Sequence, residues 1–252
     1  MGTSTAALVL DANGRELARL LLDAPVRAVV ALPGGGFRAV AGDRLLTLPD
    51  GPAWRLPAPG TALAVHEEGW TAVALPGRGE VVILDATGSV TRTIEAGGAP
   101  SAVAVSGTLV GVLDAGQSTL SVFDAATGAR RQVLRAGDGA TTVLAAERGR
   151  FIAVDTRDGE LLLFTTEPLV LRQRYPAAGA PYGAAYDAAR GTLWVTLTGR
   201  NEVVGYDVSG GAPREISRHA TVRQPDAVAV DSISGVVLVT GRAEGLVQLI
   251  TA

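Results

Sequence analysis

The chain has 252 residues, 25 acidic against 22 basic side chains, a formal charge of −3 and no cysteine. That balance gives no general electrostatic basis for binding nucleic acid or an anionic membrane surface. The missing thiols exclude disulfides, thiolate nucleophiles and Cys-ligated metals, and because every basic residue is Arg, Schiff-base lysines and Walker-type phosphate loops are excluded too.

No run approaches ~18 apolar residues, so no membrane-spanning helix is expected, and Met1 to Ala7 is too polar for a signal peptide. Residues 6–10 read as a strand, the segment Asp11-Ala-Asn-Gly14 as a turn, and residues 15–21 as a second strand. Six anchor positions follow, Pro25, Gly60, Pro100, Ala140, Pro181 and Pro225, spaced 35 to 44 residues apart. Each precedes a short alternating run such as Ser101-Ala-Val-Ala-Val105. Behind each anchor come up to four runs rich in Val, Leu, Ile and Thr, here labelled a to d. Gly, Asp and Pro clusters separate them, the pattern of antiparallel strands.

The c to d turns carry an Asp to Gly signature: Asp50-Gly51, Asp85-Ala-Thr-Gly88, Asp124-Ala-Ala-Thr-Gly128 and Asp207-Val-Ser-Gly-Gly211. The carboxylate can accept bonds from backbone N–H groups ahead of it, and Gly tolerates positive φ. The fourth repeat, Phe164-Thr-Thr-Glu-Pro168, lacks the signature. No window sustains a 3.6-residue period beyond about two turns, which excludes a helical reading.

A single sheet of ~5-residue strands cannot bury both its faces, so such sheets stack. About 42 residues per repeat suits a β-propeller blade. The predicted fold is therefore all-β, a six-bladed β-propeller of four-stranded antiparallel blades occupying residues 1–252 as one domain. The last blade has its own a, b and c runs and no d. Residues 15–21 are expected to supply it, closing the ring by pairing the N- and C-terminal strands and removing a sheet edge. Residues 6–10 either add a fifth strand or compete with 246–250 for the c position.

The segments Pro181-Tyr-Gly-Ala-Ala-Tyr-Asp187 with Gly191-Thr-Leu-Trp-Val-Thr196, and Pro225-Asp-Ala-Val-Ala-Val-Asp231 with Gly235-Val-Val-Leu-Val-Thr240, resemble the repeats of YVTN and NHL-type β-propellers. The resemblance is clearest over residues 97–128 and 179–250. It implies a bacterial, extracytoplasmic setting and a binding scaffold, and its motif carries no catalytic residue.

By the geometry of that family, ligands meet the b to c and d to a connections. Five of six b to c connections hold an arginine, Arg44, Arg78, Arg157, Arg200 and Arg242, and the sixth holds Gln117. With Tyr182 these are the candidate ligand-binding residues, suited to a carboxylate, a phosphate or an acidic protein, peptide or glycan, because Arg presents a planar fork of donors. The alternative is ordinary turn polarity, with Glu80, Asp158, Glu160, Glu202 and Glu244 cancelling the charge.

Catalysis is the competing reading, a hydrolase or lyase using His219 with Asp226 or Asp187. His219 is placed in a loop running to Pro225, and as a general base it needs an orienting acceptor. His66, in the a to b turn Val65-His-Glu-Glu-Gly69, reads as solvated. Trp54, Trp70 and Trp194 read as packing residues. No metal site, cofactor or Gly-x-Ser-x-Gly elbow is indicated.

Overall fold

Short strands with two apolar faces account for almost the whole chain. The computed structural model describes residues 6–10, 15–241, 243 and 245–251. The expected turn at 11–14, and Arg242 and Glu244, lie outside the described residues.

Strands β1 (Ala6–Leu10) and β2 (Glu16–Leu21) form a hairpin. The first sheet joins β3 (Val26–Ala31), β4 (Phe37–Ala41), β5 (Arg44–Leu48) and β6 (Ala53–Arg55). The second joins β7 (Ala62–Val65), β8 (Thr71–Leu75), β9 (Glu80–Leu84) and β10 (Val90–Glu95). The third contains β11 (Ala102–Ser106), β12 (Leu109–Asp114), β13 (Thr119–Asp124) and β14 (Arg130–Arg135). The fourth contains β15 (Ala140–Ala146), β16 (Arg150–Asp155), β17 (Glu160–Thr166) and β18 (Leu169–Pro176). The fifth contains β19 (Pro181–Asp187), β20 (Thr192–Leu197), β21 (Glu202–Asp207) and β22 (Arg214–Ala220). The sixth has β23 (Pro225–Val230), β24 (Val236–Gly241) and β25 (Leu246–Thr251).

Neighbours in each sheet are sequential, the meander of a propeller blade, and the fold is an all-β, six-bladed β-propeller. The sixth sheet pairs three strands, while the segment expected to complete it, residues 15–21, is paired with β1. The six anchors fall at or just before the first strand of each sheet. Proline suits the start of a strand because it has no N–H to leave unpaired. At Pro181 and Pro225 the ladder also shifts register, a bulge that separates the anchor from the regular pairing behind it.

The chain divides into two compact units, one comprising residues up to 116 with 123–131, the other 117–122 with residues from 132 onward. In the first, β8 sends Val73 and Leu75 to one face and Ala72 and Ala74 to the other. The first pair packs with Val40, Leu45, Leu56, Leu63 and Leu84. The second packs with Ile83, Val103, Val112 and Phe123. The two-residue period of a strand thus feeds two cores from one segment. Ala7 of the hairpin packs on Ala39, Ala41, Leu46 and Leu48 of the first sheet.

In the second unit, Ile152, Val154, Leu161 and Leu163 meet Leu193, Val195, Val204 and Tyr206. The opposite face of the fifth sheet, with Trp194 and Val203, meets Val237, Val239 and Ile250. Trp194 is buried, as its packing role requires, whereas Trp54 lies under the guanidinium of Arg38 at 4.1 Å.

Candidate functional site

The b to c connections share a backbone device that their sequences only partly disclose. A residue one or two positions before strand c adopts left-handed φ at Gly42 (57°), Gly79 (66°), Ser118 (54°), Gly159 (68°) and Asn201 (56°). The carbonyl of each accepts a bond from the d to a connection of the same sheet: from Gly60, Gly97, Ala136, Ala177 and Thr221, at 2.7 to 2.9 Å. Ser118 and Asn201 occupy a conformation that normally favours glycine, and Asn201 adds a second tie, its Oδ1 accepting from Gln224 N at 2.8 Å. These five b to c turns are therefore fastened to the following d to a segments, and the side chains they carry stand on a held backbone.

In the first unit, Arg44 opens β5 opposite Arg55, and it is exposed with no hydrogen bond or ion pair among the described residues. Its neighbour Arg55 takes Asp43, Nε to Oδ2 at 3.0 Å. Arg78, on a 3-10 turn at Pro76–Arg78, grips Glu80 with two bonds of 2.7 and 3.0 Å. That fork raises the Arg78 pKa and lowers that of Glu80. Its charge is committed within the protein.

In the second unit, Gln117 is exposed, and Arg157 bonds Asp138 Oδ2 at 3.1 Å. Behind it lies a feature the sequence reading missed. Asp155, fully buried at the end of β16, accepts from four backbone N–H groups: Asp138 (2.8 Å) and Gly139 (3.3 Å) through Oδ2, Arg157 (3.1 Å) and Asp158 (3.0 Å) through Oδ1. It binds the d to a segment and the b to c turn to one carboxylate. The signal available in the sequence was an Asp ending strand b, shared with Asp114, whose Oδ2 accepts from Ala99 N at 2.8 Å.

Arg200 is exposed, forms no ion pair among the described residues, and lays its aliphatic stem against Gly179, where a Cβ would come within 2.9 Å of its Cδ. Of the acids expected to neutralise these turns, Glu80 does so at Arg78, whereas Glu160 pairs with Arg174 and Glu202 with Arg218. Tyr182 is partly exposed on β19 and its carbonyl accepts from Thr142 Oγ1 at 3.1 Å. Two repeated ties join neighbouring sheets here. Thr156 Oγ1 donates to Pro181 O at 2.7 Å, and Thr198 Oγ1 to Pro225 O at 2.6 Å.

The catalytic candidates are not assembled. His219 lies in strand β22, opposite Val203, rather than in the following loop, because the d strand runs on to Ala220. Its ring is tilted against Trp194 at 6.1 Å, and its buried Nε2 has no hydrogen-bond partner. It is bonded to neither Asp226 nor Asp187. Asp226, near the start of β23, accepts from Thr240 Oγ1 at 3.2 Å. Asp187 ends β19, six residues or about 20 Å along the strand from Pro181, and is held by Arg190 and by Ala189 N. His66 also differs from its expected solvated state: its ring stacks on Trp70 at 4.6 Å, and Nδ1 accepts from Glu68 N.

No protein-family model matches the sequence, and no curated protein matches it. Solved structures share the fold at low identity. A chain of the mitotic checkpoint complex superposes with a TM-score of 0.84 at 10% identity, covering 98% of this chain and 82% of that one. The β-propeller domain of Cps50 (Swd1) from Myceliophteria thermophila gives 0.78 at 13%, covering 98% and 90%. Virginiamycin B lyase from Staphylococcus aureus gives 0.80 at 12%, covering 99% and 89%. At these identities the likeness shows a β-propeller and nothing finer.

Proposed function

We propose that this chain is a non-enzymatic binding propeller that takes a protein, peptide or glycan partner on its b to c and d to a loops, with Arg44 and Arg200 recognising acidic groups. One observation carries the reading. Among equivalent turn positions Arg78 and Arg157 are paired with carboxylates, while Arg44 and Arg200 are exposed and have no ion pair among the described residues, on turns fastened by repeated backbone bonds. A guanidinium whose donors already hold a carboxylate has fewer left to offer a ligand, and a free one on a fixed turn loses little entropy on binding. The similarity to a chain of a checkpoint complex supports a partner of protein type. The Pro-anchored segments at 181–196 and 225–240 support the YVTN and NHL repeat type, and with it a bacterial, extracytoplasmic setting.

The test is the affinity of the chain for an acidic peptide such as a short poly-glutamate, measured by biolayer interferometry at low salt. Changing Arg44 and Arg200 to Ser together is expected to weaken binding about tenfold, the equivalent of ~1.4 kcal/mol. Equal affinity in wild type and double variant rejects the arginine-mediated reading. A variant of His219 to Ala is expected to bind as wild type does.

A further inference from the structure

At the other end of the fourth and fifth sheets, near the a to b and c to d turns, lies a cleft of about 160 Å³ lined by Arg150, Leu163, Phe164, Arg172, Gln173, Gly210 and Gly211. We propose that this cleft binds a small oxyanion, phosphate or a short carboxylate, through Arg150, Arg172 and Gln173.

Three arginines gather there without an acidic partner. Arg148 Nη1 donates to Ser209 O at 2.9 Å. Arg150 donates through Nη1 to Val208 O at 2.6 Å and through Nε to Glu147 O at 3.0 Å. Both clasp the 208–211 turn by its carbonyls, and Arg172 is exposed at the rim. None of the three forms an ion pair among the described residues, in a chain where Arg19, Arg55, Arg78, Arg131, Arg174 and Arg218 all do. Even Glu147, next in sequence to Arg148, meets Arg150 through its backbone carbonyl.

Two buried polar atoms in the cleft lining lack partners, Arg150 Nη2 and Gln173 Oε1. An unpaired buried guanidinium N–H is costly, and Arg cannot relieve the cost by losing its proton. Neither end of the Gln173 amide is hydrogen-bonded, so a half-turn about its last torsion brings the NH₂ to an arriving anion without breaking a bond.

A local irregularity aims these side chains. Between Leu163 and Phe164 the ladder to β18 shifts register, pairing Leu163 with Gln173 and Phe164 with Leu171 and leaving Arg172 as the extra residue of a bulge. The same bulge recurs in the second and fifth sheets, where the extra residue is Thr91 or Ile216. Of these three sheets the fourth alone places a cation at that position. Arg150 is likewise particular to this repeat, since Leu109, Thr192 and Val236 begin the equivalent strands of the third, fifth and sixth sheets.

Size bounds the ligand. At ~30 Å³ per water the cleft holds about five waters, enough for a phosphate or a two- to four-carbon carboxylate. The cleft stands at the end of its sheets opposite Arg157 and Arg200, so the inference is independent of the partner-binding reading.

The test is isothermal titration of the full chain with inorganic phosphate and, separately, succinate, in low-salt buffer. Saturable one-to-one binding of either probe at millimolar or tighter dissociation constant is expected. Arg172→Ala should weaken it tenfold or more while leaving the melting temperature of the unliganded protein unchanged, because the exposed Arg172 side chain makes no hydrogen bond among the described residues. Arg150→Gln should do the same or more, and if that variant fails to fold, Arg172→Ala decides. Arg92→Ala, an exposed arginine outside the cleft, should bind as wild type does. Absence of saturable binding with both probes, which would leave the cleft as a water pocket only, or binding unaffected by Arg172→Ala, overturns the proposal.

Discussion

Aspartates set much of the local order, in two ways that call for different tests. At the c to d turns, Asp85, Asp124 and Asp207 each accept from a backbone N–H two or three residues ahead and from a hydroxyl or guanidinium. Arg131 and the Thr127 amide and hydroxyl hold the Asp124 carboxyl down at about 2. The unfolded-state value is near ~3.9, so the folded state binds its proton less readily. The stabilisation from Asp124 is therefore complete above about pH 4 and is lost as pH falls toward 2. Melting curves of wild type and Asp124→Asn between pH 6 and pH 2 should differ most at the upper end and converge at the lower. A constant gap across that range would contradict the assignment. Asp155 is different in kind, because its own carboxylate is fully buried and gathers four backbone N–H donors from two segments. Replacing it with Asn puts an NH₂ group against backbone donors, and a loss of roughly 2–3 kcal/mol is expected in denaturant unfolding. A change below about 0.5 kcal/mol would show that water or backbone movement satisfies those donors.

Much of the element order was legible because a strand repeats every two residues and these strands are buried on both sides. Segments such as Val81-Val-Ile-Leu84 and Leu161-Leu-Leu-Phe164, bracketed by Gly or Pro, left little choice but short internal strands. The Asp to Gly turns were readable for a chemical reason, a carboxylate and a positive-φ residue at fixed separation. What the sequence concealed depended on three-dimensional partners. His219 sat beside the loop-like run Thr221 to Gln224, and only its pairing with Val203 shows that it belongs to a strand. Ser118 and Asn201 perform the task of Gly42, Gly79 and Gly159, so a search for glycine would find three of the five turns. The Arg172 bulge leaves no mark in the pattern of β18, since an extra residue in a half-exposed outer strand disturbs no core position. The arginines of the b to c turns were legible as a set. Their division into paired and free members was not, because Glu80 and Asp138 are close to Arg78 and Arg157 by turn geometry, whereas Glu160 and Glu202 are drawn off by Arg174 and Arg218 on neighbouring outer strands.

At the scale of the whole molecule, each of the two units contains an apolar edge strand. In the second, β25 is an edge paired through β24, with Leu246, Val247 and Leu249 about half exposed. In the first, β2 is paired with β1 and exposes Leu17 and Leu21. An apolar edge strand with unpaired N–H groups is a liability in water, and the expectation that residues 15–21 complete the sixth blade would remove both edges together. Hydrogen exchange measures this directly. The amides of Leu246–Thr251 that do not bond to β24 should exchange slowly if β2 pairs with them, and near the solvent-limited rate if the edge is open. Deleting residues 1–21 should turn those slow amides fast and lower the melting temperature. The two readouts separate two roles of the hairpin, since Ala7 and Leu22 also pack on the first sheet. A lower melting temperature with amides that were fast in the wild type would assign the hairpin to covering that sheet alone, and would place the joint of the ring elsewhere.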